Sequence, residues 1–545
     1  MRHSLCIGTI LLLCACAHRD PGTSAKAAGP AAAPTPAEVA ASAGRLRAVR
    51  LEADRQLSAE ERWLWEVWTK GGSPDPGPDR TGHDALFSAE TLQMVGAARD
   101  LASGDDGRAL SLLHAYLVGE RLSRMTAASA ELAASPAAIR WNGRTLSPAR
   151  ARATLAEEAD AGRRAALERA WRVAEDKRAK DVDTYWDRVA SAARELGYPS
   201  LLALAAELRG EQVEALAALA EGVLSTTEAT YRALLGHLAE RELKRPLADV
   251  RGRDLPRLFR GGDDPGATPP SHVAREALAA LAAFGLDLPR LGVSLDLDAR
   301  PGKDPRALAF PIEVPADVRV SFAPAGTPGE LRALLHELGA GAFYAKVTTP
   351  VLEFRRLGNV TAATWAALVE DLASEPAWLS DRTGRSVSEI APMACAAATR
   401  RLHAVRSLAA RVLVEIARAR EPAAGAKARA ILERASARPV DEDELRLFLA
   451  VREPLLESAD SLRATLLAAQ AWAFLAGRSA KPWWTDPESG QWLASAFAEG
   501  SRLDARARSR ALGAPALDAA ALDAATRARA RAAGVKIGEP RAMTP

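Results

Sequence analysis

Between about Leu86 and Leu243 apolar residues recur every three or four positions almost without interruption, a pattern that leaves room for little except α-helices. The breaks are short and fall at Gly104, Pro136, Asn142-Gly143 and Gly197-Tyr198-Pro199. Alanine and leucine fill most of the periodic positions. Alanine has the highest helix propensity and its side chain is short, so long helices with closely spaced axes are predicted. The alanine blocks follow no fixed period, which excludes a helical solenoid. The helical pattern opens near Ala37, where Ser58-Ala59-Glu60-Glu61 reads as a capping box ahead of Trp63, Leu64, Val67 and Trp68. Gly71 to Asp84 reads as a loop, and Arg251 to Pro270 as an irregular approach to the centre of the chain. Helix resumes after Pro350 and runs to about Ala480, including Ala362 to Trp378 and Ala398 to Arg418. Lys481-Pro-Trp-Trp-Thr-Asp-Pro487 breaks it before a last pair of helices that ends near Gly534. The tryptophan groups Trp63, Trp65, Trp68 and Trp483, Trp484 read as core or interface anchors.

With 545 residues and 48% apolar side chains the chain can bury a large core. Its 72 basic and 69 acidic residues nearly cancel to a net charge of +3. The arginines are interleaved with acidic residues and alanine, which predicts solvated helix surfaces. No basic stripe of the kind nucleic acid needs is present, so nucleic acid is excluded as a partner.

The first residues form a different kind of segment. Arg2 and His3 precede a short apolar run, Ile7 to Leu13, and Leu13-Cys14-Ala15-Cys16 closes it. The run is too short to span a bilayer, and the tetrapeptide resembles a bacterial lipoprotein box. Residues 1–15 are thus expected to be a signal peptide and Cys16 the lipidated residue. Residues 16–36, rich in alanine and proline, read as a tether; 37–535 as the folded body, with its motif region at 290–380; and 536–545 as a frayed tail. The expected location is the cell envelope, with Ala17 after the lipidated cysteine favouring the outer membrane and a body facing the periplasm. Cys6 and Cys14 leave with the signal, so Cys395, in an apolar setting, is the one free thiol and no internal disulfide is expected.

Strand character is concentrated in one region. Val293 to Asp298 alternates, and Val318 to Phe322 places Val318, Val320 and Phe322 on one side. Thr327-Pro328-Gly329-Glu330 follows as a capping box with proline at the first helical position, and Leu331, Leu334, Leu335, Leu338 and Ala342 then mark a buried helix face. On a neighbouring face lie His336, Glu337 and Ala340. The segment reads like the zinc-peptidase motif His-Glu-x-x-His with its second histidine replaced by Ala340. In the intact motif two imidazoles four residues apart hold Zn²⁺ and the glutamate activates the metal-bound water. An alanine methyl can ligate nothing.

These residues, in this order, resemble the zinc oligopeptidases of the thimet oligopeptidase and oligoendopeptidase type, more distantly the angiotensin-converting-enzyme group, over roughly residues 180–510. Arg300 to Lys303 and Ala309-Phe310-Pro311 are similar to the lead-in to the family's active-site edge strand, Asp317 to Ser321 to that strand, and Leu331 to Tyr344 to the metal helix. Leu368 to Trp378 resembles the second metal helix, and Trp483 to Gly490 with Gly500 to Asp504 a C-terminal segment of oligoendopeptidase-like sequences. The resemblance implies a mainly α, two-lobed zincin-like peptidase fold enclosing a channel, with a small β-sheet beside the motif helix. It also implies His336 as first metal ligand, Glu337 as a vestigial general base and Glu370, 34 residues after His336, as third ligand, with Glu375 the alternative.

The departures from the family are as informative. Ala340 removes one ligand, and a histidine and a carboxylate alone make a poor zinc site, so no zinc is expected at full occupancy. The family's oxyanion donors come after the third ligand, whereas all five tyrosines here, 116, 185, 198, 231 and 344, precede Glu370, and only His403 follows it among the histidines. Losing one oxyanion donor costs on the order of 10²- to 10³-fold in rate. The leading expectation is a lipid-anchored pseudopeptidase that binds peptides or a partner protein in its channel. An active zinc peptidase with an atypical ligand set and a structural envelope lipoprotein are the alternatives.

Overall fold

The computed structural model describes residues 36–71, 83–134, 136–262, 270–327, 329–421 and 425–538. The expected signal peptide, Cys16, nearly all of the tether, most of the 71–84 loop and most of the tail lie outside them. Seven helices frame the site: α1 (Pro36–Lys70), α2 (Gly104–Ala134), α3 (Glu330–Lys346), α4 (Asn359–Glu370), α5 (Val387–Arg420), α6 (Ser458–Arg478) and α7 (Ala505–Ala511). Among the described residues, β-structure is confined to a hairpin of β1 (Ile139–Trp141) with β2 (Arg144–Leu146), and a sheet of β3 (Ser294–Asp296), β4 (Leu308–Glu313) and β5 (Asp317–Ser321). The expected mainly helical architecture, with a small sheet beside the motif helix, is what the chain adopts. No helix among the described residues is long and apolar enough to cross a membrane.

Two large cores and a third define the lobes. One gathers Val320, Leu334, Leu338, Phe343, Trp365 and Phe497 around α3 and α4, and a second gathers Leu402, Val405, Leu462 and Leu466 around α5 and α6. The third, built on Leu113, Leu117 and Val118 of α2 with Val189 and Leu204, belongs to the N-terminal half. Helix α3 is held unusually tightly. A Cβ at Gly339 would sit 3.0 Å from Val369 Cβ and 3.1 Å from Ala366 Cα, and one at Gly341 would sit 3.1 Å from Val320 Cγ2. These two positions let α3 touch α4 on one side and β5 on the other.

Several local expectations are corrected. Ser58 caps nothing, because α1 runs through it; its hydroxyl accepts from Arg356 at 3.1 Å instead. Only half of the Thr327 box forms: Glu330 Oε1 accepts from the Thr327 N–H at 3.0 Å, but the helix starts at Glu330 with Gly329 at φ 85° as its N-cap. Asp317–Ser321 is the central strand, parallel to β3 and antiparallel to β4, so the edges are β3 and β4, and the alternation pattern missed β4. Leu308–Glu313 has both faces covered, and buried Ala309, Phe310 and Ile312 carry no alternation. The Ala362–Trp378 helix is two pieces, since Glu375-Pro376 starts a new one and Glu370 ends α4. The β1–β2 hairpin was also missed. Its signal is Asn142-Gly143, both at left-handed φ (48° and 72°), as a two-residue hairpin turn requires.

The expectation of solvated arginines fails for an informative subset. Arg164, Arg406, Arg438, Arg463, Arg508 and Arg529 are all buried. Arg406 shows why this is tolerable: it donates to the carbonyls of Leu224, Arg434 and Ala435, to Thr227 Oγ1 and to Glu228. A forked guanidinium satisfies helix-end carbonyls that close packing would otherwise strand. Cys395 is buried, with its thiol pushed up by burial, as expected of a packing residue.

Gly339→Ala is predicted to destabilise the protein by about 1–3 kcal/mol through overpacking between α3 and α4. Gly222→Ala, in the helix Val213–Thr226 where nothing lies within 4 Å, should instead stabilise by about 0.5–1 kcal/mol. Urea unfolding of both variants checks the contrast, and equal effects would refute the sandwich as the source.

Candidate functional site

Arg332, His336 and Ala340 follow one another at four-residue spacing along a single stripe of α3. The end of α4 crosses that stripe and delivers Glu370. Its Oε2 lies 2.8 Å from His336 Nδ1, and its Oε1 accepts from Arg332 Nη1 at 2.9 Å. The two residues assigned as metal ligands are therefore brought together from 34 positions apart. Burial alone would raise the Glu370 carboxyl, but hydrogen bonds and charge from His336 and Arg332 hold it well below the usual carboxylate range. Its neighbour Asp371 pairs with Arg401 of α5. Burial beside Arg529 pushes Arg401 down to about 9, against the opposing pull of Glu370.

Glu337 points the other way. Its Oε2 accepts from the backbone N–H of Ala309 at 2.8 Å, so the residue in the general-base position ties α3 to the edge strand β4. Ala340 is 6% exposed and belongs to the core around α3. Glu375 takes no part in the cluster; it accepts from Arg529 at 3.3 Å. His403 is a core histidine. Its Nδ1 meets Tyr231 Oη at 2.7 Å, its ring packs against Tyr231 and Phe259, and burial with nearby Arg438 and Arg406 pushes it down to about 3.

The donor set does not fit a zinc centre. A catalytic zinc requires three protein ligands and an open position. Here the motif offers His336 and Glu370 alone, and both oxygens of Glu370 already have protein partners. Among the described residues no group of three or more His, Cys, Asp or Glu is placed to hold a metal ion. Sequence reasoning missed Arg332, although an arginine four residues before the motif histidine was a readable signal: it sits one turn away on the same face.

A cavity of about 910 Å³ lies between the lobe of α2 and the lobe of α4 and α6. Its wall includes Pro311 of β4 and Tyr344 of α3, but not His336, Glu337 or Glu370. Tyr344 is eight residues beyond His336, about 12 Å along the helix. The cavity and the ion cluster thus occupy different stretches of the same helices. Tyr116 and Tyr185 also line the cavity, although both precede Glu370 in the chain.

No protein-family model matches the sequence, and no curated protein does. The fold, however, has solved counterparts. The chain is similar to PZ peptidase A with inhibitor 2, with a TM-score of 0.56 and 14% identity over 90% of this chain and 85% of that one. It is similar to a Bacillus anthracis str. Ames protein assigned as an oligoendopeptidase F, with a TM-score of 0.52 and 13% identity over 84% of this chain and 80% of that one. A Chlamydophila abortus protein assigned as a peptidase aligns with a TM-score of 0.60 at 12% identity, covering 84% of each chain. At such identities the likeness establishes a shared fold: this chain has the helical peptidase fold of the oligoendopeptidase type.

Proposed function

We propose that this chain is a catalytically impaired peptidase homologue, anchored in the cell envelope by a lipid on Cys16, that binds peptides in its cavity without hydrolysing them. The observation that carries the reading is the state of Glu370, whose two oxygens are engaged by Arg332 and His336 on a helix whose next stripe position is Ala340. In this reading an internal guanidinium holds the carboxylate that a zinc peptidase would present to its metal. Glu337, bonded to Ala309, serves as a strand clamp. The separation of the cavity from the cluster supports binding that survives loss of chemistry, and the size of the cavity disfavours a purely structural role.

Purified protein is expected to carry substoichiometric zinc and to leave a peptide library uncleaved. Stoichiometric zinc with cleavage that disappears in Glu337→Gln would overturn the proposal.

Ala340→His alone should not gain zinc, because Arg332 still engages Glu370. Arg332→Ala combined with Ala340→His should gain it, which metal analysis after dialysis against zinc would show.

The cluster also has a pH signature. Glu370 is held below its ordinary pKa in the folded state, so the stability it adds is present above about pH 4.5 and is lost as pH falls below that value. Glu370 is 27% exposed and Arg332 36%, which keeps the expected contribution near 1 kcal/mol. Glu370→Gln should therefore flatten the acid limb of stability against pH, read from urea midpoints between about pH 3 and 6.

A further inference from the structure

One part of the cavity wall gathers Arg108, Arg463 and Arg508, with Asp460 and Asp504 among them, and another part carries Glu60 and Glu120. Along α2, Arg108 lines one part and Glu120 another, twelve residues and hence about 18 Å apart. Arg463 of α6 and Arg508 of α7 join Arg108. The three are close enough that the charge of Arg463 acts on Arg108 and that of Arg108 on Arg508. Arg108 is held by the carbonyls of Ser501 and Leu503, and Arg463 by Asp460 and the carbonyl of Arg209. Arg463 is only 7% exposed and Arg508 6%, yet Arg463 Nε and both Nε and Nη2 of Arg508 have no hydrogen-bond acceptor in the protein. Glu499, at 3.7 Å from Arg508 Nη2, lies beyond hydrogen-bonding distance. Buried guanidinium N–H groups without acceptors are costly, and a carboxylate is the ligand whose geometry matches their fork.

At the other end Glu60 of α1 and Glu120 of α2 converge on Tyr116. The Tyr116 hydroxyl is pushed well above the usual phenol range, first by burial and then by these two carboxylates. Arg356, the cation on this part of the wall, is turned to Ser58 Oγ and the Ile312 carbonyl.

We infer that the cavity selects short peptides with both ends free, seating the C-terminal carboxylate at Arg463 and Arg508 and the amino terminus at Glu60 and Glu120. Arg108, which adjoins Arg463 and Arg508, stands about 18 Å along α2 from Glu120, and an extended chain rising about 3.3–3.6 Å per residue covers that span in roughly five residues. This inference rests on the proposed peptide-binding role and specifies its ligand.

The test uses the full chain in equilibrium dialysis with pentapeptides randomised at their three central positions, prepared with free ends, with a C-terminal amide, or with an N-terminal acetyl group. Amidation is expected to weaken retention about 30-fold or more, because the buried guanidinium groups lose their partner. Acetylation should weaken it less, at the more open acidic end. Arg508→Gln should abolish the preference for a free carboxylate, and Glu120→Gln should shrink the acetylation effect while leaving the amide effect intact. Equal retention of amidated and free peptides overturns the inference and leaves peptide binding standing. Retention of no peptide overturns both. If Arg508→Gln does not fold, as thermal unfolding would reveal, competition by inorganic phosphate decides. Phosphate that displaces free-ended but not amidated peptides supports the arginine seat, and phosphate that displaces neither overturns it.

Discussion

The arrangement around His336 depends on how closely α3 lies to its two neighbours. Gly339 admits α4 and Gly341 admits β5, at distances that a single methyl group would close. Because α4 lies so near, its last residue, Glu370, reaches His336 and Arg332. Because β4 flanks β5 in the same small sheet, Glu337 reaches the Ala309 amide on the opposite side. One tight sandwich thus brings the Glu370 carboxylate onto one face of the His336 turn and lets Glu337 leave that turn for the strand on the other. Replacing either glycine would move the elements that set both hydrogen bonds.

Close packing also explains the unusual number of interior arginines. Alanine-rich helices approach one another closely, and their ends then lie where water cannot solvate the last carbonyls. Arg406 gathers three such carbonyls with one side chain, and Arg108 does the same for the loop carbonyls of Ser501 and Leu503. Where carbonyls are too few, as beside Arg508, a guanidinium of the cavity wall keeps buried donors that no acceptor of the protein meets. The same compositional habit therefore builds the core in one place and a charged binding wall in another.

How much of this was legible in the sequence varied with the range of the interaction. Helix periodicity, the alternation at Val318 to Phe322 and the stripe carrying His336 are local patterns, and they emerge as read. The pairing of Glu370 with His336 came through likeness of order to a known family, since no local rule connects residues 34 apart. Strand β4 escaped because it is covered on both faces and so carries no alternation, and the capping box at Ser58 misled because packing against β4 keeps α1 continuous. The cavity wall was invisible for a plainer reason. Arg108, Arg463, Arg508, Glu60 and Glu120 come from four separate helices, and only the tertiary fold places them around one space.

Glu337 has a consequence for how such chains are judged by comparison. A glutamate that fastens α3 to an edge strand contributes to folding whether or not any reaction takes place beside it. The same holds for His336, which helps compensate a carboxylate at the end of α4. In a lineage that has lost hydrolysis, purifying selection on stability alone would keep the His-Glu dipeptide while the stripe positions around it drift. Persistence of that dipeptide would accordingly be poor evidence of enzymatic activity.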